Sequence, residues 1–149
     1  MKYRHLRMIG MDEFSAPSNL HYHGKHVYVD YVDFRPQHHL HDGQWMLEIL
    51  QNAVNTCGIR EVHAHVEIFD GDVSPPGFAA VVLIDESHVS AHCYSDRGWL
   101  AIDAFTCGDH EPEKILDIIH ENLISTSPNI TQIRRDSIKR FLYDSQQEN

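Results

Sequence analysis

The stretch that decides the fold is DESHVSAHCYSD, Asp85–Asp96, near the middle of the chain. It follows the apolar run GFAAVVLI (77–84) and precedes RGWLAIDAFTCGDH (97–110). These segments are rich in strand-favouring residues, and the SDRG sequence at 95–98 suits a tight turn. The centre of the chain therefore predicts successive strands joined by short turns, and strands connected in this way pair antiparallel.

Two further strands and two helices flank this centre. KHVYVDYVDF (25–34) and REVHAHVEIF (60–69) alternate between two faces, as half-buried strands do. DGQWMLEILQNAVNTCG (42–58) carries apolar residues at helical spacing and ends on a glycine, which favours a helix C-terminus. EPEKILDIIHENL (111–123) predicts a second helix, with a proline in its first turn and an apolar side.

The two ends of the chain give weaker signals. The first twenty residues show no periodicity and predict an irregular arm, while NITQIRR (129–135) predicts a possible strand followed by the short segment SIKRFL (137–142). The resulting order, β, α, β, β, β, β, α, predicts an α+β fold. We expect a two-layer sandwich in which two helices pack on one face of a mainly antiparallel sheet. The other face would need a partner, and a homodimer that covers it is predicted.

Composition limits the class of protein. The chain has 149 residues without a break in composition, so we predict one domain over residues 1–149. Its 12 Lys and Arg against 22 Asp and Glu give a net charge of −10, which argues against a nucleic-acid partner. The apolar runs are shorter than the ~20 residues of a membrane helix, and the start does not resemble a secretion signal. A soluble, cytoplasmic protein without a membrane partner is therefore expected, with three unpaired cysteines.

The ESH sequence at 86–88 offers a serine nucleophile without the surroundings of a hydrolase. It is not a GxSxG elbow, and no Ser-His-Asp order accompanies it. A serine can instead attack the carbonyl of the preceding residue and convert the peptide bond to an ester. Elimination of that ester and loss of ammonia leave a pyruvoyl group, whose ketone forms a Schiff base with a substrate amine and acts as an electron sink.

Three motifs in register carry a resemblance to a known family. They are GKHVYVD (24–30), ESHVSAH (86–92) and FTCGDH (105–110), and EPEKILDII follows them. Their order and separations resemble those of prokaryotic-type S-adenosylmethionine decarboxylase proenzymes from about Gly24 to Leu123. The resemblance implies a pyruvoyl-dependent lyase that decarboxylates S-adenosylmethionine and supplies the aminopropyl donor for spermidine synthesis.

The resemblance also implies roles for individual residues. Self-cleavage would break the Glu86–Ser87 bond, leaving a β chain of residues 1–86 and an α chain whose first residue, Ser87, becomes the covalent pyruvate cofactor. His92 matches the histidine that assists processing. Cys107 matches the cysteine that protonates the α-carbon after carbon dioxide leaves.

The resemblance also implies two substrate contacts, and at one position this chain departs from the family pattern. Asp96 lies where the family has a glutamate that contacts the ribose, and it is one methylene shorter. Phe69 matches an aromatic residue that stacks on adenine. Ala79 occupies the place, in a turn of small residues, where the family has a serine or threonine that helps the ester form. Loss of that hydroxyl is expected to slow processing about tenfold or more, and Ser74 or Ser90 could substitute for it.

Strand geometry raises a further question about the processing residues. Ser87 and His92 differ by an odd number, so on one regular strand they point to opposite faces. A bulge, or a cleavage site at the first residue of the strand, would remove this difficulty.

Three alternatives remain open from the sequence. A decarboxylase of the same fold could act on ornithine or arginine, because Asp96 departs from the family pattern. An unprocessed regulatory homologue is the second alternative, suggested by Ala79, and a histidine-based metal-binding protein is the third. No carboxylate or cysteine completes a recognised ligand spacing, so we expect no metal site. The clustered histidines are His21, His23, His26, His38, His39, His41, His63 and His65.

Overall fold

The computed structural model describes residues 20–35 and 42–144. Residues 1–19 of the predicted N-terminal arm and three of the clustered histidines, His38, His39 and His41, lie outside these residues. The elements, in chain order, are β1 (Leu20–Val32), α1 (Asp42–Thr56), β2 (Glu61–Phe69), β3 (Gly77–Ile84), β4 (Ser87–Tyr94), β5 (Trp99–Cys107), α2 (Pro112–Thr126) and β6 (Thr131–Asp144).

The six strands form one sheet in the order β2-β3-β4-β5-β1-β6, and every neighbouring pair is antiparallel. Strands β2 to β5 follow one another through short connections, as the central sequence predicts. Strand β1 then inserts between β5 and β6, which makes β2 and β6 the two edges. This arrangement confirms the predicted α+β sandwich with a mainly antiparallel sheet.

Both helices cover the same face of the sheet. Helix α1 packs on β2, β3 and β4, while α2 packs on β5 and β1 and also touches α1. Alternate residues of the central strands, such as Val82, Val89 and Ile102, are fully buried against them. Helix α1 ends at Thr56, and Gly58 just beyond it has φ of 70°, which suits a glycine. The amide of Ile59 donates to the carbonyl of Val54 at 3.1 Å.

The opposite face of the sheet, called the open face below, carries the other alternate residues. Its members include the cross-strand neighbours Leu83 and His88, and Tyr94 and Trp99. Leu83, Tyr94 and Trp99 remain between 42% and 47% exposed although they are large and apolar. The open face therefore retains accessible apolar surface in the isolated chain.

Two strand predictions need correction. Strand β1 begins at Leu20 and ends at Val32, five residues earlier at its start than the run that predicted it. The possible strand at 129–135 and the short segment at 137–142 are parts of a single 14-residue strand, β6. β6 is an exposed edge strand, so neither of its faces required a clean apolar alternation.

Candidate active site at the β3–β4 hairpin

The site begins at the two-residue turn between β3 and β4. The ladder of these strands is continuous up to the pair Ile84 and Ser87, which leaves only Asp85 and Glu86 in the turn. Glu86 has φ of 61°, in the left-handed region that disfavours side chains. A non-glycine residue held there stores about 1–3 kcal/mol of strain. The peptide bond between Glu86 and Ser87 therefore follows a strained residue.

Ser87 is the first residue of β4 and is half-buried. Its hydroxyl donates a hydrogen bond to the backbone carbonyl of Phe105 on the neighbouring strand β5. The serine side chain thus has a fixed partner. The predicted cleavage site therefore falls at the first residue of β4.

Cys107 is the last residue of β5 and lies directly beside the turn. Its side chain is buried, with only 7% exposure, and its thiol donates to the backbone carbonyl of Glu86 with an S–O distance of 3.4 Å. Burial raises the pKa of the Cys107 thiol, and the nearby Glu86 carboxylate raises it further. The thiol therefore stays protonated at neutral pH and can polarise this carbonyl or deliver a proton.

His23 and Gly108 complete the surroundings of the turn. The imidazole Nε2 of His23 lies 3.9 Å from a carboxylate oxygen of Glu86, and both side chains are largely exposed. The amide of Gly108 donates to the carbonyl of His23 at 2.9 Å, so the start of β1 is tied to the residue that follows Cys107. These contacts fix three separate segments around one peptide bond.

An aromatic cluster on the open face surrounds Phe105 of β5, the residue whose carbonyl accepts the Ser87 hydrogen bond. The Phe105 ring stacks on Phe141 at 5.7 Å and meets the edge of His88 at 5.8 Å. Gly24 lies beneath the cluster, where an added Cβ would come within 2.8 Å of the Phe105 ring. The ring packs against β1 only because this position is glycine. Sequence reasoning missed the cluster, since Phe141 comes from the weakly predicted strand β6.

A histidine–carboxylate pair lies next to this cluster. His26 Nε2 is 2.8 Å from Asp103 Oδ1, and both groups are partly buried on neighbouring strands. Burial lowers the pKa of nearby His88, and the neighbouring His26 lowers it further. His88 is therefore mostly neutral at pH 7. The pair was not predicted, because the register of β1 against β5 is not evident from the sequence.

The structure does not bring His92 to Ser87. His92 lies on the open face opposite Ala79 on β3 and Ala101 on β5, and no bulge interrupts these ladders between Ser87 and His92. Five residues of extended strand separate the two by about 17 Å. Within one chain, the two processing candidates therefore remain apart. Ala79 itself lies within strand β3, so its predicted position in a turn is wrong.

The two predicted substrate contacts lie at the same far end of the sheet. Asp96 is in the turn after β4, where its backbone carbonyl accepts from Arg35 at 3.4 Å. Phe69 ends β2 and lines a cavity of about 250 Å³ together with Gly77 and Ser95. A second, mostly apolar cavity of about 310 Å³ runs beside His92, Tyr94 and Trp99 on the open face. The candidate residues thus form two groups, one at each end of β4.

The histidine clusters gather no metal site in the structure. Among residues 20–35 and 42–144, no group of three or more His, Cys, Asp or Glu side chains could hold a metal ion. In the same residues, neither helix has the length and apolar character needed to cross a bilayer.

A buried thiol donates to the carbonyl of Glu86, a residue with left-handed φ, and a serine directly follows that carbonyl. This arrangement suits the class of α+β protein that cleaves its own backbone before a serine. Comparison with known proteins narrows the class to one family.

The sequence profile of the S-adenosylmethionine decarboxylase family matches residues 25–136. S-adenosylmethionine decarboxylase proenzymes from Methanococcus aeolicus and Methanococcus maripaludis are each 32% identical over 116 residues, covering 77% of this chain and 95% and 91% of theirs. The crystal structure of the adenosylmethionine decarboxylase from Aquifex aeolicus VF5 shares the fold, with a TM-score of 0.57 at 23% identity over 83% of this chain and 90% of that one. The chain belongs to the S-adenosylmethionine decarboxylase family, whose members form a pyruvoyl group from a serine by self-cleavage.

Proposed function

We propose that Ser87 is the serine from which this S-adenosylmethionine decarboxylase forms its pyruvoyl group, by cleavage of the Glu86–Ser87 bond. The observation that carries the assignment is the Cys107 thiol, 3.4 Å from the Glu86 carbonyl oxygen. A hydrogen-bond donor at that oxygen stabilises the negative charge that develops when a nucleophile attacks the carbonyl. The left-handed φ of Glu86 adds strain that the cleavage removes.

The proposed cleavage needs only groups of the chain and one water molecule. The Ser87 hydroxyl attacks the Glu86 carbonyl carbon, the C–N bond breaks, and an ester joins the two residues. Loss of the Ser87 α-proton then expels the Glu86 carboxylate from the β-carbon and leaves dehydroalanine. This enamine takes a proton at its β-carbon to become an imine, which water hydrolyses to the ketone with release of ammonia.

Cys107 has two successive roles in this proposal. Before cleavage its thiol donates to the Glu86 carbonyl, and during turnover it delivers a proton to the α-carbon of the substrate. Both roles require the protonated thiol, which its raised pKa maintains. The pyruvoyl group itself supplies the electron sink for loss of carbon dioxide from S-adenosylmethionine. The decarboxylated product is the aminopropyl donor for spermidine synthesis.

His92, Asp96 and Phe69 complete the site only if a second copy of the chain supplies them. About 17 Å of strand separates Ser87 from His92 in one chain, and Asp96 and Phe69 lie further toward the far end. A homodimer in which the open faces meet would cover the exposed Leu83, Tyr94 and Trp99. A twofold axis can then place the far end of one sheet beside the hairpin end of the other. We therefore propose a homodimer with composite sites.

The assignment is tested on purified protein by intact mass and by decarboxylation of carboxyl-labelled compounds. We expect two fragments, the second beginning at position 87 and blocked to N-terminal sequencing, and release of label from S-adenosylmethionine alone. Release of label from ornithine or arginine would change the assigned substrate to that amino acid, whereas the assigned pyruvoyl cofactor would stay the same. A single intact chain without activity would instead identify a non-catalytic regulatory homologue, although no comparison favours either alternative.

The composite site is tested by mixing two inactive variants. Copies with Ser87→Ala and copies with His92→Ala are co-expressed, so that mixed dimers form. In a mixed dimer, one site receives both changes and the other receives neither, so cleavage and decarboxylation are restored in about half of the possible sites. If all catalytic groups came from one chain, mixed dimers would stay as inactive as the separate variants.

We also infer a cytoplasmic location. The three cysteines, Cys57, Cys93 and Cys107, are free thiols, which is usual in a reducing compartment. Fractionation of cells that express the protein would test this inference.

A further inference from the structure

The turn that carries the strained residue is tied to the neighbouring strand by a two-pronged ion pair. Arg60, which directly precedes β2, donates from Nε to Asp85 Oδ2 at 2.9 Å and from Nη2 to Asp85 Oδ1. The backbone repeats the connection, because the amide of Asp85 donates to the carbonyl of Arg60 at 3.3 Å. Asp85 is therefore fixed by both its side chain and its main chain.

The residue held next to this pair needs such support. Glu86 has φ of 61°, whereas Asp85 is absent from the residues with positive φ in the described part of the chain. A turn with negative and then positive φ favours glycine at the second position, because a side chain there is crowded. It is also less suited to a two-residue hairpin than the mirror-image turns. The sequence here supplies glutamate, so local preference alone does not explain the conformation.

We propose that Arg60 and Asp85 act as a clamp that holds Glu86 in the left-handed conformation and so positions the bond to be cleaved. The proposal rests on cleavage at Glu86–Ser87. Arg60 touches neither the serine nor the attacked carbonyl, so it is a positioning residue.

The clamp acts through the direction of one carbonyl group. Rotation about the N–Cα bond of Glu86 turns its carbonyl relative to the rest of the hairpin. At the observed φ the oxygen lies against the Cys107 thiol. Relaxation to a negative φ would rotate it away and remove the hydrogen bond that assists attack. Release of Asp85 therefore weakens activation of the scissile carbonyl without changing any group that reacts.

The ion pair is exposed, which limits the expected size of the effect. Its bidentate geometry is the kind of surface pair that does contribute. We expect Arg60→Ala and Asp85→Asn to slow cleavage about twofold to fivefold. Turnover per pyruvoyl group should keep the wild-type value, because the bond is already cut when substrate binds.

The experiment follows the fraction of fresh full-length precursor that is cleaved over time. Alongside the two single variants, the exchanged pair Arg60→Asp with Asp85→Arg should recover most of the wild-type rate. Lys114→Ala is the matched control, because it removes another exposed ion pair, Lys114–Glu111, at the start of α2. Thermal unfolding of each variant in an uncleavable Ser87→Ala background shows whether the fold is retained.

Glycine at position 86 separates positioning from general stability. Glycine adopts the left-handed conformation without help, so Arg60→Ala should no longer slow cleavage when Glu86→Gly is also present. Equal slowing in both backgrounds would overturn the clamp, as would an Arg60→Ala precursor that matures at the wild-type rate. In either case the wild type would still be cleaved, so the proposed function would stand. If the wild type is not cleaved at all, the proposed function fails first.

Discussion

The two ends of strand β4 differ in how much of their chemistry one chain completes. At the hairpin end, Ser87, the Glu86 carbonyl and the Cys107 thiol come together from β4 and β5 within a single copy. At the far end, His92 lies on the open face beside an apolar cavity, about 17 Å of strand away from Ser87. The difference teaches that one chain brings together the groups around the proposed cleavage site, whereas the groups proposed for processing and substrate binding reach that site only in the proposed homodimer.

The largest expected effect comes from removing the serine nucleophile at the hairpin end. Ser87→Ala should leave a single full-length chain that never releases carbon dioxide, because alanine has no oxygen to attack Glu86. Intact mass and a labelled-substrate assay measure both outcomes. An active, ketone-containing enzyme from this variant would show that the cleavage site has been misplaced.

Cys107→Ala tests the same end with a smaller change. The variant should still mature, more slowly than the wild type, because the Glu86 carbonyl loses a donor. Loss of a positioned proton donor should lower turnover per pyruvoyl group by about 10²- to 10⁴-fold. Quantifying pyruvoyl groups separately from turnover distinguishes the two effects. Normal turnover would remove Cys107 from the catalytic step.

Ala79→Ser tests the far end of β4. Ala79 pairs with His92 across β3 and β4, so a new hydroxyl would stand beside the histidine proposed to assist processing. We expect cleavage to become about tenfold faster, with unchanged turnover per pyruvoyl group. Equal cleavage rates for the two precursors would mean that another group already assists ester formation. The cleavage rates of Ser90→Ala and Ser74→Ala would then be measured.

The smallest expected effect concerns His88, next to Ser87 at the hairpin end. Burial lowers its pKa, so the folded state binds a proton less readily than the unfolded state. Its contribution to stability is present above the ordinary histidine pKa of about 6.5 and is lost as the pH falls. The melting temperature should therefore drop less between pH 7.5 and 5.5 for His88→Asn than for the wild type. An identical drop would show that His88 does not affect acid stability.

Much of the fold could be predicted because its signals are local. The periodicity of 42–58 predicted α1, and Pro112 marked the start of α2. Strand β6 was predicted only in pieces, because an exposed edge carries no regular apolar pattern. The site divides in the same way. The motif around Ser87 is local, whereas the pairs Arg60–Asp85 and His26–Asp103 depend on strand registers that form only in the folded sheet.

The left-handed residue at the turn was missed, although a signal for it existed. Only two residues separate the runs that became β3 and β4, and a two-residue hairpin usually requires a positive φ. Neither Asp85 nor Glu86 is glycine, so strain at this turn could have been anticipated. Which of the two residues would bear it depends on long-range contacts.

Cleavage within this turn has a consequence for how the mature protein unfolds. Strands β3 and β4 pair along their whole length, from Gly77 with Tyr94 to Ile84 with Ser87, and the proposed cleavage between Glu86 and Ser87 would leave them in different polypeptides. The precursor can regain this pairing as one molecule, whereas a protein cleaved at this bond must bring two separated chains back together. The melting temperature of the cleaved protein should therefore rise with protein concentration, and its recovery from denaturant should be second order. Cleavage at the hairpin would thus convert a chain that folds alone into an assembly that dilution can prevent from reforming.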